Sequence, residues 1–260
     1  MENCLIGYTG FVGNTLLKQT TFEHLYRSTN IQDIAGRSFE MVVCAGAPAV
    51  KWLANKDPAN DARVIDSLIQ RLSTVNCRKF ILISTVDVFK EPRGVDEASE
   101  VFQDGSQAYG YNRRRLEKFV ESHFQDHMIV RLPGLVGPGL KKNIIFDLLN
   151  NNNVAGINAA SEFQFYPMVN LWPDILIAAR AGLRIIHLTS EPIKTQTLAG
   201  SAFNIDLALY DTDAAAHYDM RTRHAELYGV TGLYQYSASE TVQAARWYSQ
   251  SEPKKALLGG

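Results

Sequence analysis

Along this chain the apolar residues fall into short unbroken runs, separated by longer stretches where they recur every three or four positions. Cys4-Leu5-Ile6 and residues 41–45, 80–84 and 128–132 have the unbroken apolar character of strands buried on both faces of a parallel sheet. Residues 24–27 form a shorter run of the same kind. Between these runs, residues 60–73 set Val64, Ile65, Leu68, Ile69 and Leu72 on one helical stripe. Residues 109–124 do the same with Leu116, Phe119, Val120 and Phe124. Strands alternating with amphipathic helices predict an α/β fold with a parallel sheet and right-handed crossovers. Beyond Pro133 the alternation loosens. Residues 150–153 read as a polar loop, 185–188 as one more strand and 219–250 as mostly helical, and no repeat is visible.

Composition narrows the class without changing this picture. The 260 residues are enough for a full hydrophobic core, and 46 % hydrophobic with 20 % charged residues is the balance of an ordinary globular protein. A net charge of −1 makes no electrostatic case for nucleic acid or a membrane surface. No leader-like segment and no apolar run of about 18 residues stands in the sequence, so no membrane association is expected. Cys4, Cys44 and Cys77 are far apart and lack metal-ligand spacing; they read as small hydrophobes in a reducing cytoplasm, and no metal is expected. The six histidines form no metal or nucleophile arrangement. Trp52 and Trp172 read as packing residues, and Arg114, Arg115, Glu117 and Lys118 as the exposed side of the second helix.

The most informative chemistry comes directly after the first run, at Gly7-Tyr8-Thr9-Gly10-Phe11-Val12-Gly13. Spaced glycines between a strand and a helix let the backbone turn tightly and approach a diphosphate. The N–H groups of Phe11, Val12 and Gly13 and the helix dipole would then stabilise its charge. The spacing is GxxGxxG, not the GxGxxG of the general dinucleotide fingerprint. Three further segments carry chemistry in a fixed order. Residues 83–89 put Thr85 and Asp87 at the carboxyl end of a central strand, where open α/β sheets bind ligands. Residues 108–113 place Tyr109 and Arg113 four apart, on one helical face. Residues 131–139 end a strand in a rigid loop that opens with Pro133.

In this order the segments resemble the extended short-chain dehydrogenase/reductases, the nucleotide-sugar epimerase/dehydratase family. Cys44-Ala45-Gly46-Ala47 is similar to that family's Asn-Ala-Gly element, with Cys44 in place of Asn, and Asp96-Glu97 to its acidic pair. The resemblance implies a Rossmann-like, doubly wound parallel sheet with a small C-terminal substrate-binding region. Residues 1–133 would form the dinucleotide-binding domain. Residues 134–260 would complete the sheet and form the substrate subdomain. The implied activity is NADP- or NAD-dependent oxidoreduction or epimerisation of a nucleotide-linked sugar. Tyr109 would exchange a proton with the sugar oxygen, with Thr85 hydrogen-bonding the same oxygen and Ala45, Gly46 and Pro133 lining the cofactor.

The sequence departs from that family where its Tyr-x-x-x-Lys lysine is Arg113. A guanidinium one turn away still stabilises a tyrosinate and holds the nicotinamide ribose, so a lowered Tyr109 pKa is expected. It does not release a proton, so a relay that needs a neutral amine is lost. Val86 stands where dehydratases of the family carry an acid, leaving Asp87 as the available acid or base. Arg27-Ser28 at the end of the second strand, with no acid before Asp33, favours NADP, although a solvated loop cation has the same sequence. Lys141, Lys142 and Asn143 read either as a substrate-diphosphate site or as a solvated charge pair ahead of a helix. Gln164, among aromatics, is a candidate substrate contact. The two amphipathic helices are the expected homodimer surface, with Arg63, Gln70, Arg114 and Lys118 on their outer faces. A dinucleotide-binding regulatory or scaffold protein without turnover is the alternative that Arg113 and Val86 leave open.

Overall fold

The computed structural model describes residues 2–102, 104–208 and 215–254. They divide into two units. The first takes the chain up to Glu91, then Glu97–Leu132 and Leu171–His187; the second takes Pro92–Asp96, Pro133–Asn170 and the chain from Leu188 onward.

The first unit is a six-stranded parallel sheet with β1 (Asn3–Ile6), β2 (His24–Tyr26), β3 (Ser38–Cys44), β4 (Asn76–Thr85), β5 (His127–Leu132) and β6 (Ile185–His187). In space the strands run β6-β5-β4-β3-β1-β2. The chain leaves β1 toward one edge and returns to its other side as β3, so the strand order reverses at the carboxyl ends of β1 and β3. Ligands of open α/β sheets bind at such a point. The helices of this unit are α1 (Phe11–Gln19), α2 (Lys51–Lys56), α3 (Pro58–Leu72), α4 (Ala108–His123) and α5 (Leu171–Arg180).

Strand geometry explains why the apolar runs are unbroken. Alternate residues Cys4, Ile6, Val42, Cys44, Phe80, Leu82 and Ile129 pack against Ile65, Leu68 and Leu72 of α3 and Leu116 and Val120 of α4. The intervening Leu5, Val43, Ile81 and Val130 are equally buried, so both faces of the sheet are covered. Pro58 opens α3 at a position whose N–H would be unsatisfied anyway, and the Asp57 carboxylate accepts from the Asn60 N–H at 3.0 Å.

Several expectations change. Val64 lies at the edge of its stripe and is 39 % exposed, and Trp52 is 65 % exposed on α2 rather than packed. Glu117, expected on the solvent side of α4, is fully buried because Arg131 reaches it from β5 at 2.8 Å. Ser84 and Arg114 also hydrogen-bond its carboxylate. Only the end of the 219–250 stretch is an α-helix, Ala238–Ser251, with one short 3₁₀ turn before it at Ala225–Tyr228. Asp219–Met220 pairs as a strand with Arg93–Val95, and Gly229 and Gly232 take positive φ (75° and 129°) that a helix excludes.

The second unit is built of small pieces. Gly134–Val136 pairs with Phe165–Pro167 and Glu162–Phe163 pairs with Ile193–Lys194. Helix Ile144–Asn150 and the C-terminal helix flank them, the latter opened by a Ser237/Glu240 capping box. Leu148, Ile157, Ala159, Ala199 and Leu207 form a small core. Among the described residues no helix is long and apolar enough to cross a membrane, and no cluster of His, Cys, Asp or Glu could hold a metal.

Candidate active site

The glycine loop sits where the strand order reverses. Gly7 has φ +86° and donates its N–H to the Tyr26 carbonyl at 2.7 Å, tying the end of β1 to that of β2. A Cβ on Gly7 would lie 2.3 Å from the Ala45 carbonyl oxygen, and one on Gly13 would lie 2.2 Å from the Gly7 oxygen. Those two glycines are therefore required by backbone closeness between β1, α1 and the Ala45-Gly46 end of β3. Gly10 is different: it is exposed, and a Cβ there would meet only the Gly7 oxygen, at 3.3 Å. It caps α1 without a side chain, and no acidic residue stands in the first turn. The N–H groups of Phe11, Val12 and Gly13 have no partner among the described residues. An open helix N-terminus behind a glycine turn fits the diphosphate of a dinucleotide.

Arg27 and Ser28 lie directly after β2, both exposed. The Arg27 backbone N–H donates to Asn30 Oδ1 at 2.7 Å and its Nε to Thr29 Oγ1 at 2.9 Å. The turn thus fixes the stem of a guanidinium whose terminal nitrogens have no partner among the described residues.

The second half of the site gathers around Tyr109. Thr85 ends β4 and its Oγ1 accepts the Asp87 N–H at 3.2 Å, capping the turn at Val86–Val88. The first turn of α4 lies on that turn so closely that a Cβ on Gly110 would be 1.9 Å from the Asp87 carbonyl oxygen. This brings the Tyr109 phenol beside Thr85, whose hydroxyl favours the ionised phenol. Asn55 Oδ1 accepts the Tyr109 backbone N–H at 3.0 Å. Burial pushes the phenol pKa up; Arg113, Thr85 and Lys51 pull it down without overcoming that burial, and the Asp87 charge adds to the rise. The lowered pKa expected from the sequence is thus replaced by a raised one.

Arg113 lies over the Tyr109 ring, its guanidinium carbon 4.4 Å from the ring centre. Its terminal nitrogens hold both carboxylate oxygens of Asp61 at 3.0 Å, and one also donates to the Pro48 carbonyl. Both side chains are sealed, at 3 % and 4 % exposure, and the Arg113 Nε is buried without a partner among the described residues. Asn112 Nδ2 adds a third hydrogen bond to Asp61, at 2.8 Å.

Sequence reasoning missed Lys51. Its Nζ lies 2.6 Å from Asp87 Oδ1, with the side chains 40 % and 19 % exposed. Lys51 and Asn55 are four apart on α2 and therefore share the face that meets Asp87 and Tyr109. That spacing, just beyond the Ala45-Gly46 strand end, was the one signal available.

The remaining candidates belong to the second unit. Pro133 is buried directly after β5. Lys141 and Lys142 are exposed. Asn143 (φ 107°) caps the helix Ile144–Asn150, its Oδ1 accepting from Ile145 and Phe146 and its Nδ2 donating to the Leu135 carbonyl at 2.8 Å. Gln164 is 1 % exposed and ties strands together. Its amide nitrogen donates to Thr189 Oγ1, Ser190 O and Met220 O, and its oxygen accepts the Met220 N–H at 2.7 Å. The amides of Asn143 and Gln164 are therefore engaged within the protein.

No protein-family model matches the chain and no curated protein matches it at significance. Solved structures do. A dTDP-4-dehydrorhamnose reductase from Clostridium acetobutylicum shares 16 % identity at a TM-score of 0.72, covering 96 % of this chain and 99 % of that one. The Bacillus anthracis dTDP-4-dehydrorhamnose reductase in complex with NADP shares 16 % identity at 0.70, covering 96 % and 99 %. A UDP-glucuronic acid 4-epimerase from Bacillus cereus, solved with NAD and a fluorinated UDP-sugar, shares 14 % at 0.67, also covering 96 % and 99 %. Identities this low establish a shared fold. The Rossmann-like architecture expected from the sequence is the one found, and over nearly the whole length of each neighbour.

Proposed function

We propose that the protein is a nicotinamide-dinucleotide-dependent oxidoreductase or epimerase acting on a nucleotide-linked sugar. The observation that carries this reading is the pairing, within one unit, of an open helix N-terminus at the sheet reversal with a buried Tyr109 set beside Thr85 at the end of β4. The names of the structural neighbours agree with it. Gly7, Gly10 and Gly13 with the N–H groups of Phe11, Val12 and Gly13 would hold the diphosphate, Ala45, Gly46 and Pro133 would line the cofactor, and Arg27 with Ser28 would meet a 2′-phosphate and so favour NADP. Bound there, the cofactor supplies or accepts the hydride. Tyr109 exchanges the proton of the sugar oxygen and Thr85 hydrogen-bonds that oxygen. A phenol whose pKa burial raises stays protonated at neutral pH and is suited to donate, which favours the reductive direction. Lys141 and Lys142 are the cations that would meet the substrate diphosphate. Three free thiols suit a reducing cytoplasm, and the outer faces of α3 and α4, with Arg63, Gln70 and Lys118 exposed, are the surface for a homodimer that sedimentation would detect.

A second reading, a dinucleotide-binding scaffold without turnover, is favoured by the sealed Arg113–Asp61 pair, which leaves no proton-yielding cation at that helical position. A screen of nucleotide sugars with NADPH and with NAD, followed by nicotinamide absorbance, separates them. Sugar-dependent oxidation or reduction of the cofactor supports the enzyme. Tight cofactor binding with no sugar turned over supports the scaffold.

A further inference from the structure

Tyr109 is 8 % exposed, so water has little direct access to restore each proton it exchanges with substrate. Arg113 cannot restore it, because a guanidinium keeps its proton and this one is locked on Asp61 and the Pro48 carbonyl. A different route is continuous. Thr85 stands with its hydroxyl beside the phenol and favours the ionised form. Its Oγ1 lies 3.4 Å from Asp87 Oδ2, the other Asp87 oxygen lies 2.6 Å from Lys51 Nζ, and the Lys51 side chain is 40 % exposed to water. The charged or titratable groups that act on Tyr109 are Arg113 from its own helix, Asp87 from the turn after β4 and Lys51 from α2. Of these, Lys51 is the most open to solvent, at 40 % against 19 % for Asp87 and 3 % for Arg113, and its proton is exchangeable.

We propose that Lys51 is the proton-relay residue of this site, working through Asp87 and Thr85 and performing the duty that Arg113 cannot. The inference rests on the reading of Tyr109 as the proton carrier. When the phenol gives its proton to the substrate oxygen, the phenolate takes the Thr85 hydroxyl proton. The Asp87 carboxylate takes a proton from the Lys51 ammonium and passes one to Thr85, and water reprotonates the Lys51 amine. One proton passes from solvent to substrate, and no side chain is changed at the end. In the oxidative direction the same steps run backward. The relay thus joins groups from α2, the turn after β4 and the start of α4.

Two readouts test it. The first needs no substrate: the Tyr109 phenol is titrated by carbon-13 NMR of labelled tyrosine, its signal identified by its loss in Tyr109→Phe. Lys51→Met should raise the titration midpoint by about one pH unit or more, since an opposing positive charge is gone. Lys51→Arg, which keeps the charge, should leave the midpoint in place. The second readout is turnover. Lys51→Arg should slow it about tenfold or more, because the charge stays and the exchangeable proton is lost, and Lys51→Ala should be partly rescued by added methylamine. An unmoved midpoint in Lys51→Met, or full turnover in Lys51→Arg, overturns the relay even where Tyr109→Phe is inactive and the proposed function stands. Full turnover in Tyr109→Phe overturns the proposed function and the relay with it.

Discussion

Arg113 with Asp61 and Lys51 with Asp87 are both cation–carboxylate pairs set beside Tyr109, and they differ in what decides the use of an ion pair. The first is bidentate, held by a further amide from Asn112, and almost wholly removed from water. The second joins the Lys51 ammonium to one Asp87 oxygen, with the lysine side chain half open to water. A sealed pair has already lost its hydration, so its remaining value depends on both partners staying in place. An open pair contributes little to stability, but its proton communicates with solvent. The lesson is that a charged residue at a familiar helical spacing takes its role from its partners and burial, and the spacing alone does not assign it.

The contrast is broken most sharply at the tyrosine itself. Tyr109→Phe should keep NADPH affinity and lose about 10²–10⁴-fold in turnover, the usual contribution of a general acid, as measured by nicotinamide absorbance. Arg113→Met should do the reverse in kind. It leaves Asp61 as an unpaired buried charge and should cost about 3–5 kcal/mol in urea unfolding. Arg113→Lys restores the residue that the family resemblance expects, yet it loses the second hydrogen bond to Asp61. A loss of about 1–3 kcal/mol in stability is therefore expected, with no gain in turnover. Away from both pairs, Arg27→Ala should weaken NADPH by about 1.5–3 kcal/mol in calorimetry and leave NADH nearly unchanged. The smallest effect is alkaline. Because burial raises the Tyr109 pKa above its ordinary 10.0, the folded state holds that proton more tightly than the unfolded chain does. The resulting stability is present below pH 10 and is lost as the pH rises through the folded value. Stability in Tyr109→Phe should accordingly fall less steeply above that pH than in the wild type.

The fold was legible wherever local pattern and tertiary role coincide. Residues 80–84 had to be a strand buried on both faces, and it became the middle of β4. The glycine loop had to be a turn, because a Cβ at Gly7 or Gly13 has no room. Thr85 and Tyr109 were legible as a pair because each is anchored to an element end that the pattern places. Partners from distant segments were not. Asp61 looked like an ordinary first-turn acid of α3, and Glu117 like a solvated one on α4, until Arg113 and Arg131 reached them. Lys51 stood on a helix of six residues, too short for periodicity to register. Gln164 and Asn143 looked like ligand groups because a sequence reports polarity and not satisfaction. Their hydrogen bonds are made to backbone groups, and to Thr189, brought close only by the fold.

A dinucleotide held at the glycine loop is what the proposed chemistry requires first, and calorimetry of NADPH binding tests it most directly. The wild-type protein should bind NADPH, whereas Gly10→Trp, at a position exposed and free of the closeness that fixes Gly7 and Gly13, should abolish binding and leave the circular dichroism of the fold unchanged. Wild-type protein that binds neither NADPH nor NADH would contradict it.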